Sequence, residues 1–297
     1  MTTPELAESY RLLTAEPSAV RLARDIVRVS GPDALSYLQG QISQDVEPLG
    51  DGGSAWSLIL QPQGKVDAWF RITRLADDPD ATFALDLDSG FADALIDRLN
   101  RFKLRVKADI DVVDGDMLAV RTPGEPLGAA AGPSVGAYRA QPFFGEGVDL
   151  LGPSQDLPAT LTEASPEAYE VLRIEAGMPK MGAELTEDTI PAAAGIVDLS
   201  ASFTKGCYTG QELVARIDSR GNNTPTHLRV LRSDEPMSVG DVIGDDQGTI
   251  TSAAVHPDGG SVALGYVKRS VEVPCLLAVN ATDASVRAVP SAPVSAD

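Results

Sequence analysis

The segment KGCYTGQE, Lys205 to Glu212, concentrates reactive side chains around Cys207, one of two cysteines in the chain. Thr209 followed three residues later by Glu212 matches a capping box, and Leu213, Val214 and Ile217 supply an apolar helical face that Gly221 can end, so the spacing predicts a helix from Thr209. That places Cys207 just before a helix N-terminus, where unpaired N–H groups and the dipole favour an anion, with the Lys205 ammonium close in sequence. Both effects favour thiolate. The competing reading is a small buried hydrophobe between glycines kept for turn geometry. Lys205, Gly206, Gly210, Gln211 and Glu212 weigh against it, because together they form a polar wall that a structural cysteine does not need.

Two further clusters carry charge in patterns that suit a ligand. In RLNRFKLRVK the cations Arg101, Lys103, Arg105 and Lys107 alternate with Phe102, Leu104 and Val106. Read as a strand, this presents one basic and one apolar face, either a charge-protected sheet edge or a seat for a small polyanion. In SPEAYEVLRIEAG the spacing predicts a helix with Ser165 as N-cap, Pro166 in the first turn and Gly177 at the end. Arg173 and Glu175 then fall on different faces, and Glu175 sits where the dipole disfavours a carboxylate. An acid in that position is either solvated or held by donor N–H groups such as those of a pterin or guanidine.

These groups are positioned by an α+β pattern. VSGPDALSYLQGQIS reads as a short helix that Gly40 can end. SAWSLIL, VDAWFRITR and TFALDLD read as three strands joined by hairpins, GFADALIDRLNRF as a helix with Phe91, Leu95, Leu99 and Phe102 on one face, and KLRVKADIDVV as a returning strand. The Gly/Pro/Ala-rich stretch 122–137 reads as a crossover loop and 151–160 as another. From about 226, short apolar runs broken by Gly, Asp and Pro at intervals of about ten residues predict a small β-barrel, followed by a loose tail AVPSAPVSAD. The boundaries expected are 1–50 plus 115–205, 51–114 plus 206–224, and 225–297.

The 297 residues carry 43 acidic and 24 basic side chains, a net charge of −19. Such a chain repels polyanions and argues against general nucleic-acid binding. MTTPELAESY lacks the features of a signal peptide and no apolar run reaches membrane-spanning length, so the expectation is a cytoplasmic protein without membrane contact. Two cysteines and two histidines in no ligand spacing predict no dedicated metal site. Phosphate-loop, dinucleotide, nucleophile-elbow and CxxC motifs are absent from the sequence.

KGCYTGQE resembles the signature of the YgfZ family of folate-binding proteins, relatives of the glycine-cleavage (GcvT) aminomethyltransferase. The likeness extends over VSGPDALSYLQGQISQDV, QPQGKV, RFKLRVK, RIEAGMPKMGAELTEDTIPAAAG and ARIDSRG. It implies a three-domain cloverleaf with a central channel for tetrahydrofolate or a one-carbon derivative and a C-terminal barrel. It also implies a role in assembling or repairing iron–sulfur clusters, including those of enzymes that methylthiolate tRNA, with iron–sulfur proteins or assembly factors as partners. On this sequence it assigns activity to Cys207 and Lys205, the pterin contact to Glu175, and folate contacts to Arg173, Gln211, Glu212 and Tyr208. Apart from the resemblance, the charge of the basic strand 101–107, Arg105 included, leads to the expectation that it meets a polyglutamate tail.

One departure separates the chain from the aminomethyltransferases, whose paired aspartates follow a comparable turn. Here Ala68 and Trp69 occupy those positions and Asp67 falls one residue early, which on a strand means the opposite face. Glycine cleavage is therefore not expected. The alternatives are an aminomethyltransferase proper and a non-catalytic scaffold that has lost folate.

Overall fold

The computed structural model describes residues 3–75, 82–124, 136–153 and 156–290. The chain opens with α1 (Pro4–Ala15), the long strand β1 (Ser18–Ser30) and α2 (Ala34–Gln41). Next come β2 (Ser54–Leu60), β3 (Val66–Arg74), β4 (Phe83–Asp88), α3 (Ala92–Asn100), β5 (Asp109–Val113), β6 (Asp116–Arg121), β7 (Tyr138–Ala140) and β8 (Gly147–Gly152). A short β9 (Thr162–Glu163) leads to α4 (Pro166–Glu175), the single turns α5 (Pro191–Ala194) and α6 (Val197–Ser200), and α7 (Gln211–Asp218). The remainder is β10 (Thr226–Ser233), β11 (Val242–Ile243), β12 (Gly248–Val255), β13 (Ser261–Lys268), β14 (Cys275–Val279) and β15 (Thr282–Ala288).

Two sheets organise these elements. A nine-stranded sheet runs β2-β3-β4-β1-β6-β8-β7, with β5 and β9 also on β1, and β10 to β15 close into a six-stranded barrel. β1 is long enough to serve both halves of the sheet: Arg24–Val29 pair with β4 while Ser18–Ala23 pair with β6. One sheet thus carries strands from both of the first two units expected from the sequence. Strand β3 is buried on both faces. Ala68, Phe70 and Ile72 enter a core with α2 and α3, whose Leu38, Leu95 and Leu99 are fully buried, whereas Trp69 enters the core on the other side. The Leu, Ile and Phe side chains among these each contribute about 1.5–3 kcal/mol through burial. Helix α4 docks on the barrel through Val171 and Ile174 against Leu228, Val230, Val262 and Leu264.

The three hairpin strands, the helix after them, the capped helix at 166–175 and the barrel form where the spacing predicts them. Ser165 caps α4 by accepting from the Ala168 amide, and Gly177 follows with φ 69°. Several local expectations need correction. Residues 101–108 form no strand; β5 begins at Asp109, and Arg105 takes a left-handed φ of 63°, which interrupts the alternation. Helix α7 begins at Gln211, not Thr209, and its cap is Gly210 (φ 82°) with no side-chain hydrogen bond, so the Thr209/Glu212 box does not form. A Cβ at Gly210 would lie 2.7 Å from the Gln61 carbonyl oxygen, so packing against the β2–β3 turn, rather than capping chemistry, sets this helix start. Helix α2 runs through Gly40 to Gln41. The tail is anchored at its start, where Val289 packs on Gly177 and Gly195; residues 291–297 and 125–135 of the crossover loop lie outside the described residues.

Candidate functional site

Strands β1, β3, β4, β6 and β8 bring charged residues to the middle of the sheet, where burial forces them to pair. The Arg71 guanidinium donates to both oxygens of Asp86 (2.9 and 3.1 Å) and to Asp149 (2.7 Å), and Arg121 donates to the other Asp149 oxygen (2.8 Å). Arg24 bridges Asp86 (3.1 Å) and Asp88 (2.6 Å). Burial by itself would raise the Asp149 carboxyl, but Arg121 and Arg71 outweigh it and hold this group below the usual carboxylate range.

Above this network opens a cavity of about 460 Å³. Its apolar walls include Trp56, Phe143, Met117 and Met178, and its polar lining includes Arg24, Arg71, Asp88, Glu170, Arg173 and Lys180. Trp56 stacks on Trp69 with centroids 4.2 Å apart, and Phe143 meets Trp56 edge-on at 5.7 Å, so the aromatic wall is rigid. Arg173 is held from four sides. It grips Glu170 through two bonds (2.8 and 2.7 Å), donates to the Met178 carbonyl, reaches Glu184 at 3.4 Å and donates to Ser252 of the barrel (2.8 Å). Glu184, 1% exposed, accepts from the Lys180 amide and from Thr251 and Ser252. The RIEAGMPKMGAEL stretch is therefore a clasp between α4, the cavity and the barrel.

Of the residues assigned a catalytic or folate-binding role from the sequence, Arg173 alone lines this cavity. Glu175 does not. Five residues separate it from Glu170, about 140° around the helix, so it points elsewhere. Tyr10 donates to one of its oxygens (2.9 Å); the Asp258 amide donates to His256 Nδ1, which leaves Nε2 to donate to the other (3.1 Å). These partners offset the unfavourable dipole position. Arg105 lies on the loop after α3, at the far end of that helix from cavity-lining Ser89.

The Lys205–Glu212 segment forms a second locus, running from the irregular stretch after α6 into the first turn of α7. Cys207 is exposed and free. The small-hydrophobe reading therefore fails. Lys205 Nζ donates to the carbonyls of Ile42 (2.8 Å) and Gln44 (2.9 Å) and lies 5.5 Å from the Tyr208 ring centroid. Burial lowers its pKa to about 8, against opposing contributions from Asp45 and Glu47. Tyr208 is buried, and burial pushes its phenol up to about 12; its hydroxyl has no hydrogen-bond partner among the described residues. Gln211 is half-buried and Glu212 exposed. Asp67, the acid that falls one residue early, pairs with Arg98 (3.0 Å). Among the described residues no cluster of potential metal ligands occurs and no helix is long and apolar enough to cross a membrane.

Sequence reasoning missed Arg24, Trp56, Arg71, Asp88, Phe143 and Asp149. The one local signal was an arginine inside an otherwise apolar strand, VDAWFRITR, where a charge must find partners.

This combination of sheet, clasp helix and closed barrel is a GcvT-like fold. The crystal structure of glycine cleavage system aminomethyltransferase T from Bartonella henselae superposes with a TM-score of 0.81 at 21% identity, covering 98% of this chain and 91% of that one. The tRNA-modifying protein YgfZ of Edwardsiella ictaluri is 31% identical over 265 residues, 79% of each chain. The chain belongs to the YgfZ family. It is also 30% identical over 207 residues to the mitochondrial iron-sulfur cluster assembly factor IBA57 homolog of Pyricularia oryzae, spanning 67% of this chain and 53% of that protein, about half its length. No family model matches.

Proposed function

We propose that this protein binds tetrahydrofolate or a one-carbon derivative in the cavity over the Arg71 network and supports the assembly or repair of iron–sulfur clusters, with Cys207 as its reactive group. The names of the YgfZ and IBA57 relatives support the iron–sulfur and tRNA-modification side of this reading. Its clients on that side include the enzymes that methylthiolate tRNA.

The observation that carries the folate reading is the cavity lining. A reduced pterin is a flat bicycle with N–H donors and a carbonyl, linked to an acidic tail. Trp56 and Phe143 offer ring faces and edges, Asp88 and Glu170 offer acceptors, and Arg24 Nε is buried without a hydrogen-bond partner among the described residues. Lys180, exposed at the rim, suits the tail. The volume lies in the range of ligand sites. We read the sheet units and the barrel as the lobes of a cloverleaf and this cavity as its channel. Glu170 or Asp88, rather than Glu175, then holds the pterin. Bound folate would supply the carrier for a one-carbon unit; Arg173 orients it, and the buried network beneath keeps water out.

Lys205 ties the thiol segment to the carbonyls after α2, and its lowered pKa makes it half neutral near pH 8. It acts as a positioning residue for Cys207. An aminomethyltransferase reading has less support because Asp67 is committed to Arg98.

Isothermal titration of tetrahydrofolate into the purified protein tests the cavity: micromolar binding that Trp56→Ala weakens at least ten-fold is expected, and no heat would leave the bare-scaffold reading. A deletion strain rescued by wild type but not by Cys207→Ala tests the thiol. Full rescue by the alanine variant removes it. Turnover with an aminomethyl donor is expected to be nil.

A further inference from the structure

The loop 101–107, freed from the strand the alternation predicted, leaves apolar and cationic side chains in water. Leu104 is 85% exposed and Phe102 48% exposed. No ion pair formed by Arg101, Lys103, Arg105 or Lys107 occurs among the described residues. The loop is nevertheless held in shape. Its far end is clamped by a reciprocal pair, Lys107 N–H to the Asp33 carboxylate (2.8 Å) and Asp33 N–H to the Lys107 carbonyl (3.2 Å). Its near end is fixed by the Arg98 guanidinium over the Phe102 ring at 4.4 Å. Between them Arg105 keeps a left-handed backbone, uncommon for a side chain of its kind.

We propose that this loop is a docking surface for an acidic protein that carries an iron–sulfur cluster. The proposal rests on the iron–sulfur reading above and names the partner's chemistry. Four unpaired cations within seven residues are anomalous on a chain of net charge −19, whose remaining surface repels an acidic partner. The loop gives such a partner a local basic place to approach and helps to fix its orientation. The exposed Leu104 and Phe102 distinguish a protein from a nucleic acid, because an apolar patch finds its complement on a protein surface and not on a phosphate backbone. Position adds a reason. Arg98 donates to the Leu60 carbonyl (3.2 Å), and a Cβ at Gly210 would lie 2.9 Å from Leu60 Cβ. Helix α3, from which the loop leaves, and the segment bearing Cys207 thus both pack against the end of β2, which puts the loop and the thiol segment on elements joined through Leu60.

The probe is an acidic [2Fe–2S] ferredoxin, titrated by fluorescence anisotropy against the full-length protein at two salt concentrations. Leu104→Ser and the double variant Lys103→Glu, Lys107→Glu are expected to weaken binding at least ten-fold. The double variant should also flatten the salt dependence, with melting temperature and monoglutamyl tetrahydrofolate affinity unchanged. Unchanged ferredoxin affinity in both, or no binding by wild type, overturns the proposal. Two parallel titrations separate other occupants. If the charge variant loses only the extra affinity for pentaglutamyl tetrahydrofolate, the loop reads a folate tail. If it loses only tRNA binding, it reads RNA; either result overturns protein docking. Loss of folate binding with ferredoxin binding intact would sink the folate reading and leave this surface standing.

Discussion

The cavity and the Cys207 segment solve opposite problems. Beneath the cavity, Arg71, Asp86, Arg121 and Asp149 are at most 3% exposed, and four strands fix them in a network in which each charge has a partner. The thiol sits on a loop with no regular structure, tied down by Lys205 on two carbonyls and by the hydroxyl of Ser202, which accepts the Lys205 amide (3.2 Å). Buried ion pairs in low dielectric hold geometry at the cost of desolvation, which suits recognition of a rigid ligand. An exposed loop holds little but leaves its side chain free to meet another macromolecule. Under the proposed function, the two loci would divide recognition from reactivity.

That division has measurable edges. Arg71→Met leaves Asp86 and Asp149 short of a partner and is expected to lower stability by about 3–5 kcal/mol in urea unfolding; a loss below about 1 kcal/mol would mean that the network is solvated and the contrast false. Trp56→Ala removes the stack on Trp69 and should cost about 3 kcal/mol, with at least a ten-fold loss of tetrahydrofolate affinity by calorimetry. Lys205 provides a smaller effect with a definite sign. Its folded pKa of about 8 lies below the ordinary lysine value. The associated stability is present above about pH 10.4 and is lost as pH falls through 8. Wild-type unfolding free energy should therefore rise between pH 8 and 10, and the rise should shrink in Lys205→Met. Equal slopes in the two proteins would show that this amine is solvated. The smallest effect is expected at the thiol. Cys207→Ser should change stability by no more than about 0.5 kcal/mol, while iodoacetamide labels folded wild type at the rate of a surface thiol. Slow labelling would place Cys207 in the buried class and erase the comparison.

Much of this architecture was legible locally. The cap at Ser165, the hairpin alternation in 54–88 and the turn-punctuated runs after 226 are short-range patterns, and their elements formed where predicted. The misses share a cause. At 101–107 the alternation was present but no strand partner reached it, because β1 takes up β5 only from Asp109 onward. At Thr209 a good capping box lost to the close approach of Gly210 to the β2–β3 turn. The cavity was nearly invisible, since Arg24, Arg71 and Asp149 stand far apart in sequence and each resembles a surface charge when read alone.

The sequence by itself determined the hairpin strands of 54–88, the helix capped at Ser165 and the turn-punctuated barrel, and singled out Cys207 by the chemistry packed around it. Only the tertiary structure decided that Glu170 faces the cavity while Glu175 faces Tyr10 and His256, and that Lys205 grips carbonyls. Periodicity is a property of neighbours along the chain, whereas the partner of a buried charge is chosen by which strands the sheet sets side by side.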